Sequence, residues 1–494
     1  MENLKSDKSF LAHFIRDLGA RGLMDILKAV VNLAIVTLVA RQLSGDDYGV
    51  YTQLTTFVAV LVPVLLLRLN TACVRFFPSV AEDIVSRGRH FSSVTLLVLG
   101  LTSLCAAVVG ITAELSSKMI FGEILSFQII LVLALYLVIR STVTLFTEYY
   151  RAVNRTIRAG VINTIRLLLM LGAVVLSVLR DFDVLGILRA QLAAEAMVAF
   201  VLAIWFARER VLIFSRNLRL AEIKPYLVYS LPLVPYSMLM AVNQFADRYF
   251  ITHMVGLSDA GVYSLNSNII AAAFLINFSL SYVIYPHLSH LWESGDMSAV
   301  RGMLEAGQRV FVFFALPIAT GVTLIYKPLL GALVGDQYLL TLSSVVFICL
   351  GQIMLGLCAI CSFTIDLSKA TAMYLKILVI TAALNLLLNA LAVPSYGVAG
   401  AAGATATTYF IQFLFMWYLS ARLLGFKLHL DLGFIALCAV GTGIMWVALQ
   451  FLGPVESLLD IGLTVLAGAS VYGVASVLLF RRQMSLLAAL FRGR

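Results

Sequence analysis

The chain has 494 residues, of which 61% are hydrophobic and only 12% are charged, and its formal net charge is +9. A soluble domain carries charge on about a quarter of its residues, so this composition excludes an ordinary soluble enzyme or binding domain. Apolar runs of about 20 residues, the length that a helix needs to cross a bilayer, recur from one end of the sequence to the other. The chain is therefore predicted to be an all-α polytopic membrane protein.

The apolar runs predict about 14 transmembrane helices, joined by short loops with no inserted soluble domain. The approximate limits of these spans are 22–41, 49–72, 91–113, 123–147, 160–179, 184–206, 226–250, 260–285, 304–326, 338–362, 373–393, 398–421, 432–452 and 459–480.

The charged residues of the loops predict the orientation of the chain. One set of loops, together with both ends of the chain, is basic and includes Arg75, Arg87, Arg89, Arg151, Arg155, Arg158, Arg208, Arg210, Arg216, Arg219, Lys224, Arg301, Lys369, Arg422 and Lys427. The alternate loops are acidic and include Asp46, Asp47, Glu114, Glu123, Asp181, Asp183, Asp259, Asp336, Glu456 and Asp460. Because cytoplasmic loops are enriched in Lys and Arg, we expect both termini in the cytoplasm and the protein in the cell inner (plasma) membrane. The net positive charge is then a topology signal, and no nucleic-acid partner is expected.

Two sequence echoes predict a tandem repeat. Gly-Val-Tyr occurs at 49–51 and again at 261–263, and the openings of the sixth and twelfth spans align Gly186 with Gly400. Six is an even number of spans, so the two repeats have the same orientation. The predicted organisation is an N-terminal six-helix lobe (1–206), a cytoplasmic linker (207–225), a C-terminal six-helix lobe (226–421), two extra transmembrane helices (432–480) and a basic amphipathic tail (481–494).

Polar side chains inside predicted spans are the candidates for function, because they are costly in hydrocarbon and usually face a protein interior or an aqueous path. They are more basic than acidic, which suits an anionic headgroup, since guanidinium pairs well with phosphate. The predicted substrate-binding residues are Arg68, Arg140, Arg248, Lys28 and Asn243, and the predicted ion-coupling residues are Asp25 and Asp247.

Structural roles compete with these assignments. Asp25 and Lys28 lie three residues apart and could form a neutralising pair within one helix. Asp247 and Arg248 are adjacent, so they are expected to point in different directions and to need separate partners. Each arginine could alternatively neutralise a carboxylate such as Asp25, Glu148 or Asp247.

Motifs for covalent chemistry, cofactors or metals are weak in this sequence. Cys358-Ala-Ile-Cys361 has the spacing of a redox or zinc motif, yet it lies in an apolar segment with no second pair. His287 and His290 lack a third ligand at suitable spacing. With no phosphate-binding glycine loop and no nucleophile elbow either, we expect neither an enzyme nor a bound cofactor or metal.

Four motifs in the same order resemble the polysaccharide flippases of the multidrug/oligosaccharidyl-lipid/polysaccharide exporter superfamily. Residues 41–51 (RQLSGDDYGVY) resemble the R-x-L-x-x-x-x-Y-G-x-Y signature that follows the first span of that family. Similar motifs are Thr71-Ala72 with Arg75, Asp247-Arg248 followed by Gly256, Gly261 and Tyr263, and residues 396–402 (YGVAGAA). Leu69-Asn70 departs from the family, in which a Gly precedes the small residues that end the second span.

The resemblance implies two six-helix lobes around a central cavity that opens alternately to each side. It also implies a substrate, a polyprenyl pyrophosphate that carries an oligosaccharide, and partners that are glycosyltransferases or a polymerase of the same pathway. A flippase for lipid-linked peptidoglycan precursors and a cation-coupled drug exporter of the same superfamily are the alternatives. A membrane polysaccharide polymerase is the alternative from another class, although such enzymes carry a large outer loop that this chain lacks.

Overall fold

The protein is described by a computed structural model over residues 24, 27–80, 84–209, 211–212, 220–425, 429–452 and 457–479. Helices make up most of these ranges, and no strand occurs in them. The helices are α1 (27–42), α2 (Gly45–Leu65), α3 (Leu69–Val80), α4 (Ile84–Ile111), α5 (Ala113–Phe121), α6 (Phe127–Ala152), α7 (Thr156–Leu179), α8 (Val184–Arg208), α9 (Leu220–Ser230), α10 (Val234–Met254), α11 (Leu257–Ala273), α12 (Ile276–Glu293), α13 (Met297–Leu333), α14 (Leu342–Leu367), α15 (Thr371–Leu424), α16 (Leu432–Leu449) and α17 (Leu458–Leu479).

The helices confirm the predicted all-α polytopic membrane fold. Eleven of them, counting α9 with α10, are long and apolar enough to cross a membrane. The 54-residue α15 contains both the predicted eleventh and the predicted twelfth span. The two spans are separated by a kink at Gly397, where the backbone leaves the helical region with φ 55° and ψ −135°. The first and eighth predicted spans correspond to α1 and to α11 with α12.

Two predicted spans are broken where the sequence suggested continuous helices. Between α2 and α3, Leu67 and Arg68 both adopt left-handed backbone angles, with φ of 47° and 55°. This conformation costs an L-residue about 1–2 kcal/mol. Between α9 and α10 a 3-10 turn at Leu231–Leu233 contains Pro232. Irregular backbone at membrane depth is tolerated where protein or a water-filled cavity surrounds it, so both breaks are candidates for positions beside a transport path.

The chain divides into two compact units, which meet in sequence within α11, between Gly261 and Val262. In the first unit α6 packs against α4, α8, α2, α3 and α7, and α2 also packs against α10. In the second unit α13 packs against α12, α14, α16 and α17, and α14 packs along α15. The lobe limits proposed from the sequence stay a prediction, and the predicted tail at 481–494 lies outside the described residues.

The two Gly-Val-Tyr motifs lie at equivalent positions near the starts of α2 and α11. The two helices begin at Gly45 and Leu257, which are 212 residues apart, as are the glycines of the two Gly-Val-Tyr motifs. A Cβ atom built on Gly261 would lie 2.9 Å from both the Cα and the N atom of Gly49. The paired glycines therefore allow the two helix starts to touch backbone to backbone.

In the second unit, a buried asparagine in the interior of α11 joins neighbouring elements through hydrogen bonds. Asn266, which is completely buried, donates to the carbonyls of Val262 and Tyr338, and its Oδ1 atom accepts a 2.8 Å hydrogen bond from the Tyr326 hydroxyl. These bonds join α11 and α13 to the loop before α14.

The start of α13 is held by the side chain of Asp296. Hydrogen bonds from the Ala299 N–H and the Ser298 hydroxyl lower the pKa of Asp296, which caps the helix from outside it. Such a cap satisfies one of the N–H groups that a helix start leaves without an intrahelical partner.

Candidate functional site

Buried charge is unevenly distributed along the chain. Among the described residues, the charged side chains that are almost fully buried are Arg166, Glu195, Asp247 and Arg248, and all four belong to the first unit. The buried polar residues of the described part of the second unit are all neutral. A buried charge is costly unless it is paired and hydrogen-bonded, so these four residues define where a functional site is to be sought.

Glu195 is the centre of an ion cluster that joins three helices. Its Oε1 atom accepts a 2.8 Å hydrogen bond from an Nη atom of Arg140, and its Oε2 atom accepts one of 3.2 Å from Arg166. The Glu195 side chain is completely buried, that of Arg166 is 10% exposed, and that of Arg140 is 28% exposed. The carboxylate of α8 thus holds a guanidinium from α6 and another from α7.

The cluster lies near the middle of the spans. Glu195 is 11 residues from the start of α8 and Arg140 is 13 residues from the start of α6, which correspond to about 16 Å and 20 Å along the helices. The hydrocarbon core is about 30 Å thick, so this cluster sits at mid-membrane depth. One carboxylate opposes two guanidiniums there, so the cluster carries a net charge of +1.

Neutral polar groups extend the cluster toward α2. Gln191, one helical turn before Glu195, donates a 3.0 Å hydrogen bond to the hydroxyl of Tyr51. Tyr51 ends the first Gly-Val-Tyr motif. Tyr136 of α6 is also buried, and it lies within range of electrostatic interaction with the Glu195 carboxylate. A hydrogen bond thus joins the first Gly-Val-Tyr motif to a residue of α8 that lies one turn from Glu195.

The predicted residues of α10 are also buried. Asn243 and Asp247 are each 5% exposed and Arg248 is 8% exposed. Arg248 donates to the carbonyl of Gln244 at 3.0 Å and lies over the ring of Phe245. Asp247 and Arg248 were expected to need separate partners, and Arg248 has them in Gln244 and Phe245. The Asp247 carboxylate accepts the Arg248 backbone N–H at 2.8 Å and also lies 3.9 Å from the Arg248 guanidinium, so the two charged groups are within ion-pair distance.

Two arginines of the α2–α3 segment lie over tyrosine rings of the α9–α10 segment. Arg68, at the break before α3, lies 5.9 Å from the ring centre of Tyr236, and Arg75 lies 4.6 Å from that of Tyr229. The arginines are seven residues apart and so are the tyrosines, so the two pairs repeat along antiparallel segments. Within the described ranges no carboxylate pairs with Arg68, and its Nε atom is buried without a hydrogen-bond partner.

The remaining predicted residues are placed as follows. Lys28 is half-buried near the start of α1, and Asp25 lies outside the described residues. The carboxylate of Glu148, considered as a partner for an intramembrane arginine, pairs instead with Arg151 at 2.9 Å. Within the described ranges no three His, Cys, Asp or Glu residues are grouped to hold a metal ion.

Sequence reasoning selected neither Arg166 nor Glu195 as a candidate site residue. The signal for Arg166 was present, because it is a charged residue well inside an apolar run. Its pairing with Glu195, 29 residues away, cannot be recognised from a single sequence.

Comparison with known proteins gives a consistent family and fold. Residues 38–343 match the family described as polysaccharide biosynthesis protein. A probable low-salt glycan biosynthesis flippase of Haloferax volcanii, Agl15, is 20% identical over 453 residues, which cover 90% of this chain and 91% of that protein. An uncharacterized membrane protein of Methanocaldococcus jannaschii is 26% identical over 220 residues, which cover 44% of this chain and only 42% of that protein.

Among solved structures, the lipid II flippase MurJ in an inward closed conformation matches with a TM-score of 0.77 and 16% sequence identity. The match covers 94% of this chain and 99% of that chain. At this identity the likeness concerns the fold alone.

Proposed function

The chain belongs to the polysaccharide biosynthesis protein family, and we propose that it flips a polyprenyl-pyrophosphate-linked oligosaccharide from the inner to the outer leaflet. The protein is a multi-pass membrane transporter of polysaccharide biosynthesis rather than an enzyme. The proposed setting is the cell inner membrane, with both termini in the cytoplasm, where flipping supplies a precursor of cell-surface polysaccharide such as lipopolysaccharide. Glycosyltransferases or a polymerase of the same pathway are the proposed partners.

The excess of intramembrane cations in the first unit carries this proposal. Glu195 is shared between Arg140 and Arg166, and Asp247 is next to Arg248, so the carboxylates of these groups are outnumbered. Pyrophosphate is a multiply charged anion, and the planar guanidinium group binds phosphate oxygens through two parallel hydrogen bonds. A transporter for such a headgroup needs cations at membrane depth, where they would otherwise be unfavourable.

The cations also occur at successive depths. Arg248 is six residues from the end of α10, Arg140 is 13 residues from the start of α6, and Arg68 follows the end of the 21-residue α2. From the predicted outer ends of these helices, Arg248 lies at about 9 Å and Arg140 at about 20 Å, and Arg68 lies beyond the length of α2, which is about 32 Å at 1.5 Å per residue. A headgroup that crosses the membrane by alternating access would meet Arg68 first, then Arg140 and then Arg248. Lys28 and Asn243 are proposed as further contacts.

The charge pattern also separates this proposal from its alternatives. An exporter of cationic drugs needs an excess of buried carboxylates, which is the reverse of the pattern in the first unit. A flippase for lipid-linked peptidoglycan precursors handles the same pyrophosphate and differs only in the sugar that it carries, so it is distinguished by the headgroup of the transported lipid.

The energy of transport is consistent with an anionic substrate. With the cell interior negative, export of one negative charge is favoured by about 2.3 kcal/mol per 100 mV. Voltage can therefore drive the step, and antiport of a proton or sodium ion through Asp25 or Asp247 is proposed only as an additional coupling.

The test is the triple variant with Ala at Arg68, Arg140 and Arg248 in a strain that lacks the native protein. We expect normal amounts of folded protein and loss of glycan export, with lipid-linked oligosaccharide accumulating on the inner leaflet. The control replaces Arg151, Arg189 and Arg422, which lie at helix ends, and should export normally. Normal export by the first triple variant would refute the proposed path, and a different accumulated headgroup would identify the peptidoglycan alternative.

A further inference from the structure

Arg140 is the member of the ion cluster that remains accessible. One of its Nη atoms donates to Glu195, and no other described group accepts a hydrogen bond from its guanidinium. Its side chain is 28% exposed, whereas the side chain of Glu195 is completely buried. Further N–H groups of the fork are thus open to an incoming acceptor.

Glu195 is anchored independently of Arg140. Its second carboxylate oxygen accepts from Arg166, which is 10% exposed and is also 3.2 Å from the sulfur of Met170. A carboxylate that served only to neutralise Arg140 would need no second guanidinium, and the second one adds a buried positive charge that is itself costly. The cost of burying Arg166 is explained if Arg166 keeps Glu195 in place when Arg140 binds another anion.

We propose that Glu195 is a positioning residue that competes with the substrate's pyrophosphate for Arg140. Carboxylate and phosphate oxygens are equivalent acceptors for a guanidinium, so the two anions contend for the same donors. In the empty carrier Glu195 orients Arg140, and in the loaded carrier pyrophosphate takes over that guanidinium while Arg166 keeps Glu195 paired. This inference rests on the proposed function and adds the means by which the headgroup is released.

Release is the step that such competition serves. Conduction through a binding site requires binding that is strong enough for entry and weak enough for exit. Without Glu195 as an internal competitor, the guanidiniums of Arg140 and Arg166 would carry a net charge of +2 and would retain a multiply charged anion. A fixed carboxylate within 2.8 Å of the binding cation lowers the affinity and offers Arg140 a partner as the headgroup leaves.

The test compares Glu195→Gln with Glu148→Gln as purified proteins in nanodiscs, with farnesyl pyrophosphate as the binding probe. Glu148 is a matched control because it pairs with a single arginine, Arg151, which is 58% exposed. We expect E195Q to bind the probe about tenfold more tightly than the unmodified protein, the loss of one charged hydrogen bond being worth about that factor. E148Q should bind as the unmodified protein does. In cells, E195Q should export glycan more slowly although it binds more tightly.

Each outcome has a defined meaning. If E195Q does not bind more tightly but Arg140→Ala abolishes binding, Glu195 is not a competitor, while the proposed function stands. If neither change alters binding, Arg140 is not a substrate contact and the proposed path fails as well. If E195Q does not fold, the double variant R166Q/E195Q, which removes one charge of each sign, replaces it. That variant should also bind the probe more tightly, and unchanged binding would overturn the inference.

Discussion

Replacing Gly261 with Ala tests the backbone contact between the starts of α11 and α2. The added Cβ would lie 2.9 Å from two backbone atoms of Gly49, whereas carbon atoms are in optimal contact at about 3.5–4.0 Å. The helix starts must therefore move apart by about 0.6–1 Å, because a backbone neighbour cannot rotate away as a side chain can. Overpacking of this kind costs about 1–3 kcal/mol, so for a chain of 494 residues we expect Tm in detergent to fall by about 1–3 °C.

The matched control is Gly172→Ala in α7, where no atom lies within 4 Å of the added Cβ. Ala is favoured over Gly inside a helix by up to about 1 kcal/mol, so this variant should be as stable as the unmodified protein or more stable. Gly49→Ala should lower Tm as well, because its Cβ would meet the backbone carbonyl of Leu257. Equal Tm values for G261A and G172A would refute the backbone contact.

Three further predictions concern other parts of the chain. Asn266→Ala should destabilise the protein by about 2–4 kcal/mol, since it leaves the Tyr326 hydroxyl without its acceptor and opens a cavity. The control Asn268→Ala, at an exposed position of the same helix, should change Tm little. An equal fall in Tm for both variants would contradict the structural role of Asn266. A cysteine at Asp259, which is exposed, should react with a membrane-impermeant reagent in intact cells, and reaction only after permeabilisation would reverse the predicted topology. The pKa of Asp296 is lowered in the folded state. Its stabilising effect is therefore present above the pKa of the unfolded state, about 3.9, and is lost as pH falls through the pKa of the folded state. Asp296→Asn should flatten the Tm–pH curve over this acidic range, and an unchanged curve would argue against the cap.

The sequence was sufficient for the spans because hydrocarbon imposes one simple requirement, a helix of about 20 apolar residues. It also indicated the turn that divides α15, since Gly397 lies between two apolar runs beside Pro394. The break before α3 was missed because it occurs at Leu67 and Arg68, residues that do not favour left-handed backbone angles. The nearby proline, Pro63, lies inside α2 and does not end it.

The site could be predicted only as a set of residues and not as pairs. Charges in apolar runs selected Arg140 and Arg248 as candidates, but the partner of Arg140 is Glu195, 55 residues away on another helix. Helical periodicity relates residues within one helix and contains nothing about which faces of different helices meet. The same limit applies to Arg68, whose ring contact with Tyr236 joins positions 168 residues apart in sequence.

The two units differ in the charge of their buried polar residues. Both units bury polar side chains, but in the described part of the second unit these are neutral groups such as Asn266, Asn385 and Asn389. Neutral amides carry no net charge and can hydrogen-bond to one another within a buried polar network, as the bond from Asn389 to Asn385 illustrates. Buried charges instead create a field that acts on an anion crossing the membrane. For the anionic substrate proposed above, the membrane voltage already favours export, so the proposed task of the first unit's cations is to lower the barrier to entry rather than to supply energy.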